Sequence, residues 1–112
     1  LFIDQLIVLG EHQKFAAALI VPDFIFLRSW CEVKEIPYTT NNEMIKLPRI
    51  QKRIKKEIDK YNSTFGETEK IKRYELIDTE WTLESGEITP TLKLKRPFIT
   101  RNYEKQINKL FE

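Results

Sequence analysis

Two β-rich runs, Ile3 to Leu9 and Phe15 to Val21, are separated only by the polar spacer GEHQK, Gly10 to Lys14. A spacer of that length is used by hairpins with slightly long loops, so the runs are expected to pair antiparallel. Whatever follows must pack on that pair. The opening LFIDQLIVLG has no methionine and enters a strand at once, which reads as a segment cut from a longer chain rather than a leader. The run is also too short to span a bilayer.

The next signals are helical. Asp23 follows Pro22 and can cap a helix whose Phe24, Leu27, Trp30 and Cys31 recur at steps of three or four, with Pro37 expected to end it. After a polar link over Thr39 to Asn42 comes a short helical piece, EMIKL. Pro48 then takes a first-turn position in a helix whose Ile50, Ile54, Ile58 and Tyr61 line one face, with Lys52, Arg53, Lys55, Lys56 and Lys60 on the others. KIKRYELI, Lys70 to Ile77, alternates charged and apolar residues like a half-exposed third strand, which Trp81 and Leu83 could prolong. Ile99, Tyr103, Ile107 and Leu110 mark one face of a terminal helix. This order implies an α+β fold: a small antiparallel or mixed sheet of about three strands, with an N-terminal hairpin, covered by helices in two layers.

At 112 residues with 41% hydrophobic content, the chain can build one core. A formal charge of +2 provides no global field for nucleic acid or an anionic membrane, so any basic function must be local. The single cysteine and single histidine offer neither an intramolecular disulfide nor a soft zinc set, as suits a reducing cytosol. His12 reads as a solvated turn residue and Cys31 as a buried core thiol. Asn62 to Thr64 spells a glycosylation pattern with no sign of secretion beside it. Trp30 and Trp81 read as core or rim rather than stacking platforms, and Gly10, Gly66 and Gly86 lie too far apart for a phosphate-cradling loop.

GEITPTLKLKR, Gly86 to Arg96, has more definition. Pro90 fixes its own φ and pushes Thr89 toward an extended conformation, so Thr91 to Arg96 is expected to leave the turn as a rigid extended piece. Lys93 and Lys95 would then share one side, with Leu92 and Leu94 anchoring the other to the core. A lysine mounted this way is a long-reaching point charge for an anion arriving from outside the domain.

TPTLKLKR before a terminal helix, EKIKRYELIDTEWTLESGEI ahead of it and IDQLIVLGEHQKFAAALIVPDF further upstream together resemble the C-terminal domain of AMP-forming long-chain fatty acid–CoA ligases, in the adenylate-forming superfamily. The likeness runs from about Ile3 to Phe111, so the whole chain, 1–112, reads as that lid domain. The resemblance implies a two-step enzyme. ATP and Mg2+ convert a fatty acid to acyl-AMP with loss of pyrophosphate, and the acyl group then passes to the thiol of coenzyme A. It implies that Lys93 is the catalytic loop lysine of the first step, with Lys95 and Arg96 as second-rank anion contacts and no metal ligand in this chain. Superfamily members usually carry glycine immediately before that lysine; Leu92 stands here instead, and the choice of Lys93 over Lys95 rests on the alignment.

The resemblance also implies an N-terminal adenylation domain in cis that binds the nucleotide and the acyl chain, and a lobe that swings between half-reactions. This chain alone is expected to fold without catalysing. A cytoplasmic protein is implied, soluble or peripheral at a membrane. A small nucleic-acid or anion-binding module would use the 48–63 helix and KLKR, but Glu57, Asp59, Glu67, Glu69 and Glu75 dilute those cations, so nucleic acid is not expected as a partner. A non-catalytic interaction domain is the third reading.

Overall fold

The computed structural model describes residues 2–10, 13–64 and 70–112. His12, Gly66, Glu67 and Glu69 lie outside them. Strands β1 (Ile3–Leu9) and β2 (Ala16–Pro22) pair antiparallel, with Leu9 opposite Ala17 and Ile3 opposite Pro22. Three helices follow, α1 (Phe24–Val33), α2 (Asn41–Lys46) and α3 (Pro48–Asn62), and the chain returns as β3 (Ile71–Leu76). Helices α4 (Arg96–Asn102) and α5 (Glu104–Leu110) close it.

β3 runs parallel to β2, so the sheet is mixed, in the order β1-β2-β3. A parallel partner requires a long crossover, and α1 to α3 provide it. β2 is consequently central, and Ala17 to Val21 are wholly buried in succession.

Local chemistry explains the element ends. Asp23 caps α1, accepting from the Phe26 N–H at 3.1 Å, as its position after Pro22 predicts. The other end departs from expectation, because α1 stops at Val33, ahead of Pro37. Glu35 takes φ 54°, the Ile36 N–H donates to the Cys31 carbonyl at 2.8 Å, and the Glu35 N–H donates to the Glu32 carbonyl at 3.2 Å. That is a Schellman ending with a non-glycine in the left-handed position. Thr40 caps α2, accepting from the Glu43 N–H. On α3, Ile50, Ile54 and Ile58 are buried, whereas Tyr61 is 40% exposed, so the apolar face ends one turn earlier than its spacing suggests.

Strict alternation does not survive in β3. The register steps from Ala16–Ile71 to Ala17–Arg73, which leaves Lys72 as an extra residue. This bulge puts Ile71, Tyr74 and Leu76 on one face. Asn62 ties the end of α3 to the start of β3, accepting from the Ile71 N–H at 2.8 Å and donating to its carbonyl at 3.0 Å. The amide of the glycosylation pattern is therefore a structural clamp.

Trp81 and Leu83 do not extend a strand. Trp81 is buried and donates from Nε1 to the Tyr103 hydroxyl at 3.1 Å, while Leu83 is exposed in a turn. Tyr103, at φ −111° and ψ 25°, also interrupts the expected single terminal helix, although its N–H and carbonyl still bond to Ile99 and Ile107. Arg73 closes the far end, donating to the carbonyls of Leu110 and Glu112 and lying 5.0 Å from the centre of the Phe15 ring.

Candidate functional site

The Gly86–Arg96 stretch folds as a tight hairpin between the sheet and α4. Its base is a single antiparallel bridge between Ile88 and Leu94, with the Lys95 N–H donating to the Glu87 carbonyl at 2.7 Å. The tip is a turn with Pro90 in its second position, closed by the Leu92 N–H on the Thr89 carbonyl at 2.8 Å. Leu92 then adopts φ 64°. A turn followed by one left-handed residue is the usual way to make a slightly long hairpin loop.

This geometry replaces the rigid extended piece expected from Pro90. Leu92 does not anchor the segment; it is 78% exposed, and Leu94 alone packs inward, half-buried. Thr89 is the actual anchor. Its N–H donates to the Lys93 carbonyl at 2.8 Å, and its hydroxyl accepts from the Lys93 N–H at 3.0 Å. The backbone of Lys93 is thus held on both sides by one residue while its side chain stands in solvent.

Support comes from beneath. Glu87 is 5% exposed and accepts from the Ser85 hydroxyl and the Thr82 N–H, which fastens the preceding turn. Gly86 has φ 98°, and a Cβ there would meet the Phe98 ring at 3.1 Å, so only glycine lets this turn close against α4. Arg96 donates from Nη2 to the Val8 carbonyl at 2.7 Å, tying the hairpin to β1.

The hairpin and the first turns of α4 border an open concavity of about 630 Å3. Lys93, Lys95, Arg96 and Arg101 line it together with Leu94 and Phe98, and among the described residues no carboxylate does. The structure therefore brings Lys93, Lys95 and Arg96 to one surface. Arg101 joins them without having been singled out; its place four residues after Pro97 on the helix is the signal that could have found it. The Lys93 and Lys95 ammonium groups meet no acceptor among the described residues. An anion of phosphate type fits these donors. Among the described residues no group of three or more His, Cys, Asp or Glu side chains gathers as a metal site.

Cys31 is wholly buried, and desolvation pushes its thiol up, with Arg49 pulling more weakly the other way. It is a core group, as its helix position suggests. Among the described residues no helix is long and apolar enough to cross a membrane.

No family model matches the chain. Long chain acyl-CoA synthetase 8 of Arabidopsis thaliana is 25% identical over 98% of the chain, and Long-chain-fatty-acid--CoA ligase 6 of Homo sapiens is 29% identical over 97% of it. The chain spans about 16% of the length of each. Among solved structures, the A-PCP didomain of a carboxylic acid reductase from Segniliparus rugosus, in complex with AMP, superposes with a TM-score of 0.70 at 14% identity, covering 96% of this chain and 14% of that one. The sequence resembles long-chain acyl-CoA synthetases, and the fold is that of the C-terminal parts of adenylate-forming enzymes.

Proposed function

We propose that this chain, 1–112, is the C-terminal lobe of an AMP-forming long-chain fatty acid–CoA ligase and that Lys93 is its catalytic residue. The observation that carries the reading is an ammonium on a braced hairpin tip that meets no acceptor among the described residues, beside a cationic concavity that no described carboxylate lines, in a chain similar to such ligases over nearly all its length. In the intact enzyme a fatty acid carboxylate attacks the α-phosphate of ATP, pyrophosphate leaves, and the acyl group passes from AMP to coenzyme A. An N-terminal domain in cis would bind the acyl chain and most of the nucleotide. Mg2+, when bound, would offset phosphate charge; nothing in this lobe is assigned to hold it.

The lysine's contribution follows from electrostatics. Two anions approach in the first step and negative charge spreads over the phosphoryl oxygens, so a preplaced cation in a water-poor cleft favours the transition state over separated reactants. Lys93 does this without exchanging a proton. Losing such a contact costs ~3 kcal/mol, about a hundredfold or more in rate. Lys95 and Arg101 would hold outer phosphate oxygens, and Arg96, already committed to Val8, would contribute through its remaining donors. The lobe would swing the hairpin out once acyl-AMP has formed and present another face to coenzyme A. A nucleic-acid module is not favoured: α3 interleaves Glu57 and Asp59 with its cations, and they pair with Arg53 and Lys55.

In the full-length protein, Lys93→Ala should slow acyl-adenylate formation at least a hundredfold while thioester formation from supplied acyl-adenylate changes little. Lys95→Ala should have the smaller effect on the first step. Equal loss of both half-reactions in Lys93→Ala would remove the assigned role.

A further inference from the structure

The two lysines of the hairpin are held in different ways. The Lys95 N–H donates to the backbone carbonyl of Glu87, a bond that any residue there could accept. Lys93 depends on one particular side chain. The Thr89 carbonyl closes the turn by accepting from the Leu92 N–H at 2.8 Å, and the Lys93 N–H donates instead to the Thr89 hydroxyl at 3.0 Å. The Thr89 N–H donates in turn to the Lys93 carbonyl at 2.8 Å. These bonds engage both peptide groups flanking the Lys93 Cα. Peptide groups are planar, so fixing the two of them fixes the direction in which the lysine side chain leaves the backbone.

The hydroxyl is itself well placed. Thr89 precedes Pro90, which biases it to an extended backbone, and its branched Cβ restricts χ1. The Thr91 hydroxyl lies 3.0 Å from that of Thr89 and shares a hydrogen bond with it. On the other side, buried Ile88 is bridged to Leu94. Thr89 is half-buried at this base, while Pro90, Leu92 and Lys93 beyond it are exposed.

We infer that Thr89 is a positioning residue for the adenylation step, its hydroxyl setting the line along which Lys93 reaches the reacting phosphate. This rests on the catalytic reading of Lys93 above. Attraction between an ammonium and a polyphosphate acts over several ångströms and survives a loosened tip, so nucleotide capture needs the charge only nearby. Transition-state stabilisation needs the nitrogen in one place, and a misplacement of about 1 Å can cost a hundredfold. The lysine stem already has its own torsions to order in the cleft. Freedom at its root would multiply the unproductive positions.

The test uses the full-length protein, with ATP–pyrophosphate exchange for the first half-reaction and thioester formation from supplied acyl-adenylate for the second. Thr89→Val keeps the branched shape and the charge but removes the acceptor. Its kcat for adenylation should fall roughly tenfold or more, with KM for ATP within about twofold of the parent's. Thr89→Ser, which restores the acceptor, should recover most of that loss. Thioester formation by Thr89→Val should match the parent, which also shows that the lobe is folded. Thr89→Val/Lys93→Ala should be no slower than Lys93→Ala alone, because the hydroxyl acts through the lysine.

Parental adenylation by Thr89→Val, beside a slow Lys93→Ala, overturns this inference and leaves the role of Lys93 standing. Parental adenylation by Lys93→Ala removes both. Equal loss of the two half-reactions in Thr89→Val, or an effect that persists in full when Lys93→Ala is also present, makes Thr89 a structural residue and likewise overturns the inference.

Discussion

Leu92 occupies backbone space that an L-residue enters at a cost of about 1–2 kcal/mol, and at 78% exposure its side chain recovers little by burial. Glycine would remove that cost and add roughly 0.5–1 kcal/mol of unfolded-state entropy, so the strain term wins narrowly. Leu92→Gly should therefore raise stability by roughly 0.5 kcal/mol in thermal denaturation; an unchanged or lower midpoint would show that the leucine packs on something. The sequence singles out Lys93 as a candidate without revealing its setting. Pro90 announces a turn, yet nothing in the sequence says that the turn ends on a left-handed leucine or that Thr89 grips the lysine backbone from both sides. Glu75 gives a second residue-scale test. Burial raises its carboxyl above the ordinary value, with Lys109 opposing more weakly. The folded state thus keeps the proton longer than the unfolded one, and this contribution is fully present below the unfolded pKa and lost as pH rises through the folded pKa. Glu75→Gln should match the parent in acid and exceed it at neutral pH in urea melts; an advantage confined to acid would reverse the sign.

Elements were easiest to anticipate where one local signal decides them. Two β-rich runs close together in sequence form the antiparallel β1–β2 pair, Asp23 starts α1, and the isoleucines of α3 point to the core. Elements were misread where a tertiary partner or a backbone irregularity decides. The Lys72 bulge breaks the alternation of β3, the Trp81–Tyr103 pair accompanies the break in the last helix, and the Schellman bonds end α1 before Pro37 can. That last ending makes a prediction. Glu35 holds φ 54° on the surface with its side chain exposed, so Glu35→Gly should stabilise by roughly 0.5 kcal/mol, by the same balance as at Leu92. A chemical-denaturation midpoint lower than the parent's would mean that the carboxylate contributes something the backbone geometry does not reveal.

At the scale of the molecule, folding and catalysis separate. β2 is buried between its two neighbours, α1 and α3 supply wholly buried Phe24, Leu27, Ile50 and Ile54, and α4 adds Ile99. No buried side-chain nitrogen or oxygen lacks a partner among the described residues. Such a core closes on itself, so the separated 112 residues should unfold cooperatively, with coincident transitions by far-ultraviolet circular dichroism and by fluorescence of buried Trp81. Catalysis has no comparable closure. The concavity beside Lys93 offers positive charge on an open surface, where water screens it, and electrostatic stabilisation of a phosphoryl transition state requires a water-poor cleft. On the proposed function a second wall would come from elsewhere in the enzyme, and only there would the hairpin lysine acquire its effect. The separated chain should consequently show no acyl-CoA formation and no ATP–pyrophosphate exchange while remaining folded. Detectable turnover by these residues alone would mean that one lobe holds the whole reaction and that Lys93 needs no facing crevice.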